Sequence, residues 1–219
     1  MQDNFNVNRE SRINLHPLYL ITDRTTSSLN LTEITQKAVS AGIKTIQLRE
    51  KNMTKKELYK EALSIRKFTL KHRAAFIIND YVDIALAVNA DGVHLGQEDM
   101  PIREARKLLG KNKIIGISTH SMKQAVDAQR AGADYIGFGP IFKTTTKDAG
   151  KPKGIKSLIE IKKHIKIPVV AIGGITIDNV SEVFKSGADA AAVASGILSG
   201  DIKRNIERFY QQIKAAKIK

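Results

Sequence analysis

The chain has 219 residues, 42% hydrophobic and 26% charged, a balance ordinary for a soluble protein and a length that lets one domain bury roughly 70% of its unfolded surface. No apolar run approaches the ~20 residues of a membrane span, and the absence of Cys excludes disulfides and thiolate metal centres. Lys and Arg number 36 against 22 Asp and Glu, a net charge of +14. Such an excess can mark nucleic-acid binding, but here the lysines are spread over many helices and lack interleaved aromatics for base stacking. The excess reads as solvated basic surface that attracts anions. Small-molecule partners are expected, not nucleic acid or membrane, with oligomerisation left open. Residues 1–17 are polar, without the apolar core of a secretory signal. They are expected to form a flexible leader ahead of a catalytic domain over 18–219, in a cytoplasmic setting.

From there, short apolar segments alternate with longer amphipathic ones. Leu18 to Thr22 is the first strand, and Leu31 to Ala41 its helix, with Asn30 as N-cap and Glu33 three residues on. Lys44 to Arg49 is the second strand, and Thr54 to Glu57 opens the next helix as a capping box. Ala75 to Asn79 and Gly92 to Leu95 are strands three and four, separated by a short helix from Val82 to Val88. A helix from Pro101 to Leu109 leads to strand five, Lys113 to Ser118, after which Ser121 and Gln124 cap a helix to Ala131. Tyr135 to Gly139 is strand six, and a long loop reaches a helix from Ile155 to His164. Pro168 to Ile172 is strand seven, with a helix from Thr176 to Lys185, and Ala190 to Ala194 is strand eight, closed by a helix from Ile202 to Ala215.

Eight strand–helix units in this length predict a single α/β domain, a (β/α)8 TIM barrel at the lean end of its size range. A doubly wound open sheet is the competing fold, but no G-x-G-x-x-G follows strand one. A weak internal repeat supports the barrel: Gly42, Gly92, Gly132 and Gly187 sit near helix ends just before strands, where a left-handed cap is expected.

Barrel chemistry sits at the C-terminal ends of the strands. Strand two ends in Gln47-Leu48-Arg49-Glu50-Lys51, and alternation puts Gln47, Arg49 and Lys51 on one side. Strand three ends in Asn79-Asp80, strand four leads to Asp99, and strand five ends in Ser118-Thr119-His120. Thr144, Thr145, Thr146 and Lys147 follow strand six, Gly173-Gly174 follows strand seven, and Ala194-Ser195-Gly196 follows strand eight. Small residues after strands seven and eight suit a phosphate site built from backbone N–H groups. Across the mouth, Arg49, Lys51 and Lys147 supply positive charge, Asn79 and Ser118 can donate, and Asp80 with Asp99 could hold Mg2+ shared with a diphosphate. Taken alone, each Asp reads as a helix N-cap, because each lies where a strand gives way to a helix. His94, within strand four, reads as a structural residue beneath the site; His120, at the mouth, could serve as an acid or base. Zinc is not expected, with no Cys and no H-E-x-x-H.

These segments together resemble the thiamine-phosphate synthase family: Gln47 to Lys51, Ile78-Asn79-Asp80, Gly92 to Pro101, Gly139 to Phe142, Thr144 to Lys147, and Ala171 to Ile175. The resemblance runs from Leu18 to the C-terminus. It implies a (β/α)8 transferase of thiamine biosynthesis that condenses hydroxymethylpyrimidine diphosphate with thiazole phosphate and releases diphosphate, by a dissociative, Mg2+-assisted route. It assigns Gln47, Leu48, Arg49, Glu50, Lys51, Asn79, Ser118 and Lys147 to the pyrimidine diphosphate. It assigns Thr144, Thr145, Thr146, Gly174, Ala194 and Ser195 to the thiazole phosphate, and Asp80 and Asp99 to Mg2+. Arg49, Lys51, Lys147 and Ser118 carry the catalytic roles. Lys143 and Ala194 depart from the family's usual Pro and Val. The alternative on this scaffold is a thiazole tautomerase, in which the diphosphate and metal residues are eroded; here Asp80, Asp99, Thr144, Thr146 and Lys147 are all retained.

Overall fold

In a computed structural model describing residues 15–144 and 150–217, the strands close a parallel barrel in sequential order: β1 (Leu18–Ile21), β2 (Thr45–Leu48), β3 (Ala75–Asn79), β4 (Gly92–Leu95), β5 (Ile114–Thr119), β6 (Tyr135–Phe138), β7 (Val169–Ile172) and β8 (Ala190–Val193). Closure pairs β1 with β8, Leu20 opposite Val193, and leaves no sheet edge. Around it run α1 (Leu31–Ser40), α2 (Lys55–Lys71), α3 (Val82–Ala87), α4 (Ile102–Leu109), α5 (Met122–Ala131), α6 (Gly154–His164), α7 (Val180–Lys185), a single turn α8 (Ser195–Leu198), and α9 (Ile202–Lys217). Among the described residues no helix is long and apolar enough to cross a membrane.

Strand alternation makes two cores. Side chains such as Leu18, Leu20, Ile46, Leu48, Phe76, Ile78, Val93 and Ile115 point outward and are buried against the helices. Tyr19, Ile21, Ile77, Ile114, Tyr135, Val170, Ala190 and Ala192 point inward and fill the barrel. Each large aliphatic so buried contributes roughly 1.5–3 kcal/mol relative to exposure. Most of the leader lies outside the described residues, but Leu15 packs on the inner core and Pro17 O accepts from Ala191 N at 2.9 Å.

Three predicted caps form where expected. Asn30 with Glu33 and Thr54 with Glu57 each make a full capping box, and Ser121 Oγ accepts from Gln124 N. Four expectations are corrected. Asp80 does not cap α3, whose cap position is Tyr81, and Asp99 does not cap α4, which starts after Pro101. The helix expected from Thr176 begins only at Val180. Asn179 holds the intervening turn, accepting from Thr176 N and donating to Gly174 O. In the glycine repeat, Gly42, Gly132 and Gly187 are left-handed, but Gly92 is not. Gly92 opens β4, and Asn89 takes the positive φ before it.

The repeat's stronger content is its Asp. Asp91, Asp134 and Asp189 stand just ahead of β4, β6 and β8. Each carboxylate accepts from a backbone N–H at the start of the preceding strand: Phe76 at 2.8 Å, Ile115 at 2.8 Å and Val169 at 2.7 Å. Each also pairs with a cation two helices back: Arg66 on α2, Arg106 on α4 and Lys162 on α6. These clamps tie helix to strand at the N-terminal end of the barrel, away from the site. Asp134 is the most enclosed, with Arg106 also donating to the Lys113 and Gly110 carbonyls. Asp134→Ala would leave a cation and a buried N–H unpaired. It is expected to cost about 3 kcal/mol, read as a lowered urea midpoint with an unchanged slope.

Candidate active site

The C-terminal strand ends enclose a pocket of about 410 Å³, within the ordinary range for small-ligand sites. Its lining includes Thr22 and Asp23 after β1, Arg49 after β2, Ser118 in β5 and His120 just after it, Lys143 and Thr144 after β6, Gly173 and Gly174 after β7, and Ala194 and Ser195 after β8. The pocket thus gathers Arg49, Ser118, Thr144, Gly174, Ala194 and Ser195 from the predicted set. Among the described residues, the other predicted ones do not line it.

Gly173 and Gly174 have φ of 94° and 65°, values that favour glycine. An added Cβ at Gly174 would lie 2.4 Å from Lys143 O, and one at Gly173 would lie 2.5 Å from the Pro140 Cβ. The β6 loop crosses these two residues directly, and Phe142 N donates to Gly173 O. Chain crossing alone therefore demands the pair, and it fixes their backbone beside the pocket. After β8, the turn expected as a loop is α8, in which Ser199 N bonds Ser195 O. A short extra helix after the eighth strand is a recurrent phosphate-binding element of these barrels.

Arg49 is held by its backbone. Thr22, fully buried, accepts from Arg49 N at 3.0 Å and donates to Arg49 O through the same hydroxyl. Glu50 faces away, 3.8 Å from Arg24, and accepts from Asn52 N, which shapes the loop. Leu48 is buried against the helices. Lys51 is exposed. Gln47 is buried in the barrel, where Nε2 donates to Tyr19 Oη.

Asn79 and Asp80 stand at the end of β3, opposite β4. Asp80 has φ of 64°, and its N–H donates to His94 O at 2.9 Å. A non-glycine residue held left-handed at a strand end is uncommon and clusters at functional sites. Asp99 Oδ2 accepts from Gly96 N at 2.6 Å, which folds the segment back over the end of β4. Asp80 through its main-chain N–H and Asp99 through its carboxylate are thus both tied to β4, on the β2–β4 side of the mouth. Thr145, Thr146 and Lys147 lie outside the described residues. The base of their loop is closed by Lys153 N donating to Pro140 O and Gly154 N to Ile141 O.

His94 is structural as read, bonded to Tyr135 and to Ser118 Oγ. His120 Nδ1 lies 2.7 Å from Gly139 O, so this nitrogen carries the proton. Thr22 and Asp23 were not foreseen. Asp23 is buried and accepts from both the N–H and the hydroxyl of Thr25. Their only sequence signal is a polar pair directly after an apolar strand.

A closed eight-stranded barrel with a pocket over its C-terminal strand ends defines a barrel enzyme. The family model described as thiamine monophosphate synthase matches residues 18–197, and the chain belongs to that family. It is 47% identical over 185 residues to a thiamine-phosphate synthase from Clostridium acetobutylicum, covering 84% of this chain and 88% of that protein. It is 46% identical over 198 residues to another from Methanosarcina barkeri, covering 90% of each. Among solved structures, a thiamine phosphate pyrophosphorylase from Pyrococcus furiosus superposes with a TM-score of 0.85 at 41% identity, over 91% of this chain and 96% of that one.

Proposed function

We propose that this barrel is a thiamine-phosphate synthase that joins 4-amino-2-methyl-5-hydroxymethylpyrimidine diphosphate to 4-methyl-5-(2-phosphoethyl)thiazole. The carrying observation is the juxtaposition of Arg49 and Ser118 with Gly174 and Ser195 around one pocket, in a chain of this family. The thiazole phosphate sits at Gly174, Ala194 and Ser195, with Thr144 beside them. The pyrimidine diphosphate lies toward Arg49, Ser118, Lys51 and Asn79, with Gln47, Leu48 and Glu50 shaping that side. Thr145 and Thr146 join the thiazole phosphate, and Lys147 the diphosphate, on sequence resemblance alone.

Asp80 and Asp99 suit Mg2+. Both are oxygen donors, neither is used as a helix cap, and both are tied to the end of β4. Among the described residues no three His, Cys, Asp or Glu cluster as a metal cage. A pair of carboxylates matches an ion that keeps waters and shares substrate phosphates. When bound there, Mg2+ supplies positive charge against the diphosphate oxygens.

The chain's own part is electrostatic. The C–O bond to diphosphate breaks with its electron pair leaving on oxygen, and the aminopyrimidine ring shares the resulting positive charge. Arg49, Lys51 and Lys147 stabilise the departing anion, and Ser118 donates to it. The thiazole nitrogen lone pair then forms the C–N bond. No general base is needed for that bond.

The direct test supplies both precursors with Mg2+ and follows diphosphate and thiamine phosphate. Equimolar products are expected, and diphosphate without thiamine phosphate, or neither, would count against the reading. Ser195→Asp is expected to raise the KM for the thiazole phosphate roughly tenfold or more by charge repulsion, sparing that for the pyrimidine diphosphate. Equal changes in both KM values would argue against two separate anion sites.

A further inference from the structure

Beneath the mouth, five side chains form one unbroken chain across the barrel. Gln47 Nε2 lies 2.9 Å from Tyr19 Oη, Tyr19 Oη 2.8 Å from Tyr135 Oη, and Tyr135 Oη 2.9 Å from His94 Nδ1. His94 Nε2 lies 2.9 Å from Ser118 Oγ. Four members are essentially closed to water, from Tyr135 at 0% exposure to His94 at 6%. The fifth, Ser118, lines the pocket.

The polarity of this chain follows from its donor end. An amide NH2 only donates, a phenol has one proton to give, and a neutral imidazole has one donor and one acceptor nitrogen. With Gln47 donating to Tyr19, the Tyr19 proton goes to Tyr135, and the Tyr135 proton to His94 Nδ1. His94 then carries its proton on Nε2 and gives it to Ser118 Oγ. The serine hydroxyl, already an acceptor on its buried side, has its own proton left for the mouth.

We propose that Gln47, Tyr19, Tyr135 and His94 act as a directional hydrogen-bond relay that fixes Ser118 as a hydrogen-bond donor to an anionic ligand in the pocket. Tyr135 and His94 are then positioning residues, acting through Ser118. The inference rests on the placement of Ser118 at the diphosphate, but the polarity itself belongs to the free protein.

The scaffold makes room for the relay. A Cβ at Gly116 of β5 would fall 2.0 Å from Tyr135 Cζ and 2.4 Å from its hydroxyl, and one at Gly137 of β6 would fall 3.1 Å from His94 Cε1. Both glycines stand at inward positions and directly oppose relay residues across the ladder: Gly116 beside Tyr135, and Gly137 beside Ser118. Burial pushes the Tyr19 phenol up to about 12 and that of Tyr135 well above its ordinary value, so both stay protonated donors at neutral pH. Buried side-chain polar atoms left without a partner, among the described residues, are confined to Thr35 and Thr45, neither in the relay. A second backbone contact, Gln97 Nε2 to Ser118 O at 2.6 Å, holds the serine from the other side.

The test is histidine nitrogen NMR on the full-length free protein, with His94→Gln used to assign the signals. The expected spectrum shows His94 protonated on Nε2 and bare on Nδ1. A proton on Nδ1 would reverse the relay and overturn the proposal. Tyr135→Phe keeps the ring while removing the link. It is expected to move the His94 tautomer signals and to weaken inorganic diphosphate binding, measured by calorimetry with Mg2+, about tenfold. In a Ser118→Ala background the same change should add no further loss. Full loss in that background would place Tyr135 in packing alone and overturn the relay. If diphosphate does not bind the parent, the proposed function of the site fails, and the nitrogen shifts still decide the polarity.

Discussion

Asp80→Gly is expected to lower turnover by about two orders of magnitude while leaving folding stability within about 1 kcal/mol of the parent. The two halves have separate causes. The backbone at Asp80 has φ of 64°, which costs an L side chain and not glycine; glycine's larger chain entropy offsets much of that relief. The N–H bond to His94 O survives the substitution because it is made by the main chain. What is lost is the carboxylate. A cap would show the opposite pattern, with stability lowered by about 1 kcal/mol and activity spared. Asp99→Ala tests the partner. Its carboxylate also closes a turn onto Gly96 N, so a modest stability loss should accompany a similar fall in turnover. Steady-state rates over a Mg2+ titration, paired with urea unfolding, check both. Calorimetry of Mg-diphosphate on each variant gives a second reading that does not depend on turnover. Turnover near the parent value in either variant would remove that Asp from the metal.

The strands were legible because each is a short apolar run closed by turn residues, and the barrel because those runs recur with helices between them. The capping boxes were legible because both partners lie within four residues. Part of what escaped was set by contacts far apart in the chain. Asp134 looks like the tail of a Gly-Ala-Asp turn, yet its partner Arg106 is 28 residues earlier. The helix α8 spans four residues, too few for a period to show. The capping assignment of Asp80 and Asp99 failed because helix onset was decided by Tyr81 and Pro101, one or two residues further on.

The inner relay was half visible. Tyr19, Gln47, His94, Ser118 and Tyr135 all fall at inward parity on their strands, where apolar residues are the default. Gly116 and Gly137 sit at inward parity too. Polar side chains opposite glycines inside a barrel are a usable sequence signal for a buried network, because the space is taken from one strand and given to another. The division of the mouth was not visible. Strand ends alone do not say that β1 and β5–β8 share a pocket with Arg49 while Asn79, Asp80 and Asp99 stand outside its lining.

Arg49→Ala is expected to lower kcat by about 10²–10³, with a smaller change in KM. Among the described residues, Arg49 is the one predicted cation that lines the pocket, and it is anchored by the scaffold. The Thr22 hydroxyl bonds both its N–H and its carbonyl, so strand β1 sets where the guanidinium stem leaves β2. Charge builds on the departing diphosphate during C–O cleavage, so a fixed cation there stabilises the transition state more than the bound substrate. That difference is why the loss should fall on kcat. Arg49→Lys keeps the charge but not the planar fork, and should recover only part of the rate. Thr22→Val removes the clasp while keeping the volume. It should move kcat in the same direction by a smaller factor, with the thiazole phosphate KM unchanged. Pre-steady-state single turnovers with both substrates distinguish cleavage from product release. A single-turnover rate in Arg49→Ala equal to the parent's would take Arg49 out of the bond-breaking step and leave it a substrate-attracting charge at the rim.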